Sequence, residues 1–173
     1  MLSADLPESF DPNIVAREGF TASVDVQVSD FPRLADLLTS STGVVRVTLE
    51  ASMSADRRPT TTIELSATLE QSCQRCLQPV TVVVDHSHTV EWVADEAELA
   101  RLDASEDDSD NPDWEYLPMP VPPKVRTLEL VEDELILSLP IVPLHDVCAL
   151  PEAAPDKAED HPFAALARLK GLN

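Results

Sequence analysis

Glycine and aromatic residues are scarce in this chain. Of its 173 residues only 3 are glycines, and Phe, Trp and Tyr together make up 4%. Few positions therefore let the backbone wrap closely around a phosphate, and no glycine-rich nucleotide loop, G-x-S-x-G turn or H-E-x-x-H helix is present. Since 43% of the residues are hydrophobic, valine and leucine can still fill the core of one domain of ordinary size.

Basic residues are also few. The chain has 12 lysines and arginines against 32 aspartates and glutamates, a formal net charge of −20. Affinity for the phosphate backbone comes largely from Lys and Arg that release counterions, so we do not expect direct RNA binding. A basic protein partner is favoured instead, because complementary fields steer association. The alternative is that the acidity only keeps the protein in solution.

The sequence has no long apolar run, and its number of cysteines is odd. No stretch approaches the ~20 apolar residues that span a bilayer. Residues 1–5 lack the basic start of a signal peptide. We therefore expect a cytoplasmic protein with no membrane association. Three cysteines in such a chain argue against a disulfide framework and for free thiols or a metal site.

Alternating apolar residues predict an antiparallel sheet, and two helical stripes accompany it. The alternation covers 21–28, 44–53, 61–70 and the stretch from 80 to 92. Helices are predicted at 31–39 and 127–138, capped by Asp30 and Thr127. This pattern indicates an α+β fold, with one domain over residues 1–148.

Two segments differ in composition from this domain. Between Asp95 and Glu115 lie ten acidic residues and one basic residue, and prolines follow, so we predict a mobile acidic insert over 94–123. Residues 149–173 read as a linker followed by a short C-terminal helix, which must dock on its own domain or on a partner.

Cys73 and Cys76 form a Cys-x2-Cys turn, which is typical of half of a structural zinc site. His145 and Cys148 offer a second pair with the same spacing. Together the four would make a closed Cys3His site that bridges the fold, with no open position for catalysis. Two alternatives remain open at this point: ordinary free thiols, or a redox Cys-x2-Cys pair, which the lack of a surrounding βαβ pattern disfavours.

Other candidate groups carry weaker signals. His86 and His88 share a strand face and can ligate a metal, but no third ligand is evident nearby, so a solvated strand face is the favoured interpretation. Glu132, Asp133 and Glu134 lie beside an apolar helical stripe. Nothing gives them the contrasting environments that acid/base catalysis needs, and we predict no catalytic residues.

Three stretches are distinctive in combination: SCQRCLQP at 72–79, LVEDELILSLPIVPLHD at 130–146 and PFAALARLK at 162–170. Together they resemble the YceD family, and the third is similar to the end of proteobacterial members. The resemblance implies a bacterial cytoplasmic protein that supports accumulation of large-subunit (23S) ribosomal RNA, with no known enzymatic activity. It also implies that the Cys-x2-Cys turn matters, and that many members carry a later cysteine pair. Here that pair is His145 and Cys148, and histidine can replace a thiolate at zinc.

The expected function is therefore a non-enzymatic factor for ribosome assembly that holds a basic assembly factor or ribosomal protein. Two other classes compete with it: a zinc-stabilised adaptor without a ribosomal role, and an RNA-processing enzyme. The enzyme would need convergent polar groups and a basic groove, and the sequence indicates neither.

Overall fold

The computed structural model describes residues 6–104 and 114–150. The predicted C-terminal helix and most of the linker before it lie outside these ranges. The elements follow the order β1 (Ser9–Phe10), α1 (Pro12–Glu18), β2 (Phe20–Gln27), a 3-10 turn (Val28–Asp30), α2 (Pro32–Ala35), β3 (Val44–Met53), β4 (Pro59–Ser72), β5 (Pro79–Val93), α3 (Glu96–Asp103), β6 (Trp114–Pro118), β7 (Val125–Arg126) and α4 (Thr127–Ser138).

The main sheet has five strands in the order β2-β3-β4-β5-β6. The first four strands are antiparallel neighbours, whereas β6 runs parallel to β5. The short strands β1 and β7 form a separate antiparallel pair. The mostly antiparallel sheet, together with the four helices found within residues 6–104 and 114–150, confirms the predicted α+β fold.

One face of the sheet is covered by helices α2 and α4. Alternate residues of β3 and β4 point into this interface, as the period of two predicts, and Val47 lies opposite Leu65. Val131 and Leu135 of α4 are fully buried against them. The core therefore lies between α4 and the strands β3 and β4.

A second apolar cluster lies towards the other end of the sheet, around Phe10, Leu49 and Trp92. The indole Nε1–H of Trp92 donates to Oγ1 of Thr61 at 3.0 Å, so this buried polar group has a hydrogen-bond partner. This cluster joins the β1–β7 pair to the sheet.

Both predicted helix caps are wrong. Asp30 belongs to the 3-10 turn, and α2 begins after Phe31 without a side-chain cap from the residue before it. Thr127 is already helical, and its hydroxyl donates to the carbonyl of Pro7. At the start of α2 the carboxylate of Glu132 accepts the N–H groups of Arg33 and Leu34 instead. The partners at both helix starts are distant in sequence, so local spacing could not reveal them.

The predicted acidic insert contains regular structure. Residues 96–103 form α3, whose first turn is capped by Asp95 through a 2.8 Å bond from the Glu98 N–H. Residues 114–118 form β6 and extend the main sheet. Residues 105–113 lie outside the described ranges. Arg58 of the β3–β4 loop helps to hold α3 in place, because its guanidinium forms an ion pair with Glu98.

Within residues 6–104 and 114–150, no helix has both the length and the apolar character needed to cross a membrane.

Candidate metal centre

The first half of the site is the tight turn between β4 and β5. The N–H of Cys73 donates to the carbonyl of Gln78, and the N–H of Leu77 donates back to the carbonyl of Cys73, each at 2.9 Å. Leu77 has a φ of 61°, a left-handed conformation that lets the chain reverse immediately after Cys76. The turn buries both thiols on its inner side.

The second half is the chain that leaves α4. The N–H of Gln74 donates to the carbonyl of Pro143 at 2.9 Å, and the guanidinium of Arg75 donates to the carbonyl of His145 at 2.7 Å. The two residues between the cysteines of the turn therefore hold the later loop in place, which brings His145 and Cys148 to the thiols.

The four ligand atoms lie close together. The Sγ atoms of Cys73 and Cys148 are 3.8 Å apart, Sγ of Cys76 is 3.3 Å from Nδ1 of His145, and all four atoms lie within 4.8 Å of one another. In a tetrahedral zinc site with Zn–S bonds of about 2.3 Å, two sulfurs are about 3.8 Å apart. The structure thus brings together the four residues that the sequence singled out, in a shape that fits zinc.

The ring of His145 is oriented for this role. Its Nε2 lies 3.0 Å from the carbonyl oxygen of Pro79. A carbonyl oxygen can only accept, so the proton resides on Nε2 and Nδ1 is left with a lone pair that faces Cys76. Metal-binding histidines are commonly fixed in this way by a second partner.

The surroundings favour thiolate at one of the cysteines. Burial opposes ionisation of Cys73, but bonds from the backbone N–H groups of Cys76, His145 and Arg75 outweigh it and lower its pKa to about 5. At Cys76 a backbone bond from Gln78 favours the thiolate, but burial and the two neighbouring sulfurs outweigh it and raise the pKa. The environment thus favours a thiolate at Cys73, and a bound cation would stabilise further thiolates beside it.

Arg75 adds a fixed positive charge to the cluster. Its Nε–H donates to Sγ of Cys148 at 2.9 Å, and this bond raises the pKa of the guanidinium further. The contact partly offsets the negative charge that three thiolates would bring. Nothing in the sequence pattern had marked this arginine as part of the site.

The two histidines of β5 share a strand face as predicted, but it is the face that the helices cover. His86 and His88 face the helix-covered side of the sheet, and Glu134 of α4 supplies the third candidate ligand that the sequence did not reveal. His88 is only 8% exposed, so the prediction of a solvated strand face is wrong for it. The overlooked signal is that both histidines continue the inward stripe of Val82 and Val84.

The carboxylates of α4 have structural partners. Oε1 of Glu132 accepts the backbone N–H groups of Arg33 and Leu34 at 2.7 and 3.1 Å, and Oε2 accepts Nε of Arg33 at 2.8 Å. Burial raises the pKa of Glu132, but the bonds from Arg33 and Leu34 outweigh burial and lower it. Asp133 binds the same guanidinium, so these groups fasten α2 to α4.

Residues 61–170, a range that contains all four candidate metal ligands, match a known protein family. That family is described as Large ribosomal RNA subunit accumulation protein YceD, which confirms the resemblance seen in the sequence. No solved structure gives a significant match. The family's name connects it with the accumulation of large-subunit ribosomal RNA, and because the match covers well over half of its length, this chain belongs to the YceD family.

Proposed function

We propose that the chain is a non-enzymatic factor that supports the synthesis, processing or stability of 23S ribosomal RNA, and that it does so in the cytoplasm by binding a protein partner. The observation that carries this proposal is the family match over residues 61–170. The partner is a basic assembly factor or ribosomal protein.

The charges of the described surface support a protein partner over RNA. Within residues 6–104 and 114–150, the arginines that form ion pairs with carboxylates are Arg33, Arg46, Arg58 and Arg126. Their charge is neutralised locally, which leaves less for a phosphate backbone. A chain with a net charge of −20 attracts basic proteins instead.

The role of the cysteine cluster in this function would be to stabilise the fold. Three thiolates and one imidazole would fill all four positions of a zinc ion, and such closed sites stabilise folds and do not activate water. We propose that zinc joins the β4–β5 turn to the loop after α4. The ion would then fix the surface formed by residues 139–148, where Ile141 and Val147 are exposed.

Gene loss tests this proposal directly. Ribosomal particles from a strain without the gene are separated on sucrose gradients, and precursor RNA is mapped. We expect free large subunits to fall and immature or missing large-subunit RNA to appear. An unchanged profile under several growth conditions would contradict the proposal, and a zinc-stabilised adaptor without a ribosomal role would replace it.

The route through a protein is tested with purified components. The full chain is mixed with naked 23S ribosomal RNA over a range of salt concentrations, and in parallel with the basic proteins extracted from large subunits. We expect binding only in the second mixture, weakening as salt rises. Salt-insensitive binding to the naked RNA would rule out the indirect route while leaving the role in RNA accumulation intact.

A further inference from the structure

Two histidines interrupt an apolar stripe in the middle of β5. His86 lies opposite Leu65 and His88 opposite Ile63, and both of these β4 residues are buried in the core. The neighbouring inward positions of β5 are valines, Val84 and Val90. Two imidazoles at a site otherwise filled by valine lose hydration without adding apolar packing, so their presence calls for polar partners.

The partner on the facing helix is a carboxylate. Nε2 of His86 lies 3.3 Å from Oε2 of Glu134, and one ligand atom from each of His86, His88 and Glu134 lies within 4.8 Å of the other two. The imidazole rings are nearly parallel, with centroids 6.1 Å apart and an interplanar angle of 9°. Both rings therefore stand on the same side of the sheet, below α4.

His88 is the part of this cluster that its surroundings leave unsatisfied. It is more than nine-tenths buried, and its Nε2 has no hydrogen-bond partner within the described ranges. The carboxylate of Glu115 comes within 3.3 Å of this nitrogen, in ion-pair range but without the angles of a hydrogen bond. A buried nitrogen without a bond costs free energy unless something else binds it.

The charge balance points to a cation. Glu134 is 4% exposed, and its ion-pair partner within the described residues is His86 alone. With both imidazoles neutral, Glu134 brings a buried negative charge to this position. A cation would neutralise it and use the lone pair of His88.

We propose that His86, His88 and Glu134 form a second metal site, distinct from the cysteine cluster, for a divalent transition-metal ion of the zinc class. Two imidazoles and one carboxylate suit such ions, at distances of about 2.0–2.2 Å. Ligand atoms around a tetrahedral ion are then about 3.4 Å apart, which the His86–Glu134 pair at 3.3 Å already satisfies. The bound ion would tie α4 to β5 and leave a position for water.

Cobalt is the probe that separates the two sites. The full chain, purified with zinc in the cysteine cluster, is titrated with Co2+ and followed by absorption. We expect about one further equivalent to bind with visible d–d bands and no thiolate charge-transfer band in the near ultraviolet. Charge-transfer bands would instead report Co2+ at the cysteines, so a failure of the first site is distinguishable from a failure of the second.

Three variants decide the assignment. His88→Gln and Glu134→Gln should each weaken the further equivalent at least about tenfold while the zinc of the cysteine cluster is retained, which also shows that the variant is folded. Asp85→Asn removes a carboxylate on the opposite face of the same strand and should leave binding unchanged. The proposal is overturned if wild-type protein binds no Co2+ beyond the cysteine cluster, or if binding survives both ligand variants.

Discussion

Nε2 of His145 and the carbonyl oxygen of Pro79 are 3.0 Å apart, which orients Nδ1 of the same ring towards the thiol of Cys76. Pro79 begins β5 directly after the Cys-x2-Cys turn. The turn therefore supplies two candidate ligands, and the first residue of β5 fixes the tautomer of a third.

Protein purified under reducing conditions should contain about one zinc per chain in the cysteine cluster. Cys76→Ser should lose this ion and unfold at a lower temperature, because binding of a structural metal contributes directly to folding. Gln74→Ala is the matched control, since its exposed side chain lies between the ligands and only its backbone bonds to Pro143. Less than about 0.1 equivalent in wild-type protein would reject the site.

The fourth ligand can be tested by a pair of changes at one position. His145→Ala removes a ligand and should lower zinc affinity strongly, whereas His145→Cys should retain most of it, because thiolate is an equally good zinc ligand. Both changes remove the bond to Pro79, so their difference isolates ligation. Competition with a chromogenic chelator measures both affinities. Equal affinity in the two variants would show that His145 does not bind the ion.

Glu132 should stabilise the contact between α2 and α4. Glu132→Gln removes the charge that accepts two backbone N–H groups and the guanidinium of Arg33, and we expect the free energy of unfolding to fall by about 2 kcal/mol. Asp133→Asn, which alters an exposed contact with the same arginine, should change it little. Urea unfolding of both variants at neutral pH measures the difference.

The same carboxylate predicts a pH dependence. Its pKa in the folded protein is lowered from the ordinary value of 4.5, so its stabilisation is fully present above that value and is lost as pH falls through the folded pKa. The gap between wild-type protein and Glu132→Gln should therefore be constant above about pH 5.5 and shrink in acid. A gap that grows on acidification would contradict this sign.

Arg58 should stabilise the positions of α3 and of the edge strand β6 against the rest of the sheet. Its guanidinium binds Glu91 at 2.9 Å and Glu98 at 3.2 Å, and lies 5.7 Å from the centre of the Tyr116 ring. Arg58→Met leaves the buried carboxylate of Glu91 without this partner, so we expect a loss of about 2–3 kcal/mol and faster amide exchange in α3. Exchange monitored by mass spectrometry locates the effect.

The same substitution elsewhere in the sheet provides the control. Arg46 also makes two hydrogen bonds to a carboxylate, that of Asp25, but both side chains are at least half exposed. Such pairs contribute little, so Arg46→Met should leave unfolding and exchange nearly unchanged. Equal effects of the two substitutions on unfolding and exchange would mean that the ion pairs of Arg58 stabilise the fold no more than an exposed pair does.

The alternating strands could be predicted from the sequence because burial on one face imposes a period of two. The prediction for β3 at 44–53 matches the observed strand, and that for β4 is shorter by two residues at each end. Strand β6 was missed because 114–118 follows an acidic run and pairs in parallel with a distant part of the chain. The position of β6 depends on contacts with residues such as Arg58, and these contacts cannot be inferred from composition.

The cysteine cluster could be predicted because ligand spacing is a local property repeated on each side of the fold. The contacts of Glu132 and Glu134 could not, since each depends on which residue the helix faces after packing. For His86 and His88 a signal existed in the valine stripe on both sides, and the strand face they occupy was misassigned.

The proposed role in accumulation of large-subunit ribosomal RNA is tested most simply by the ratio of large- to small-subunit ribosomal RNA in strains that differ only in this gene. We predict that the ratio falls when the gene is removed, returns to normal with the wild-type gene or Gln74→Ala, and returns only in part with Cys76→Ser. A normal ratio in the strain without the gene would contradict this role. Full restoration by Cys76→Ser would contradict only the dependence on zinc.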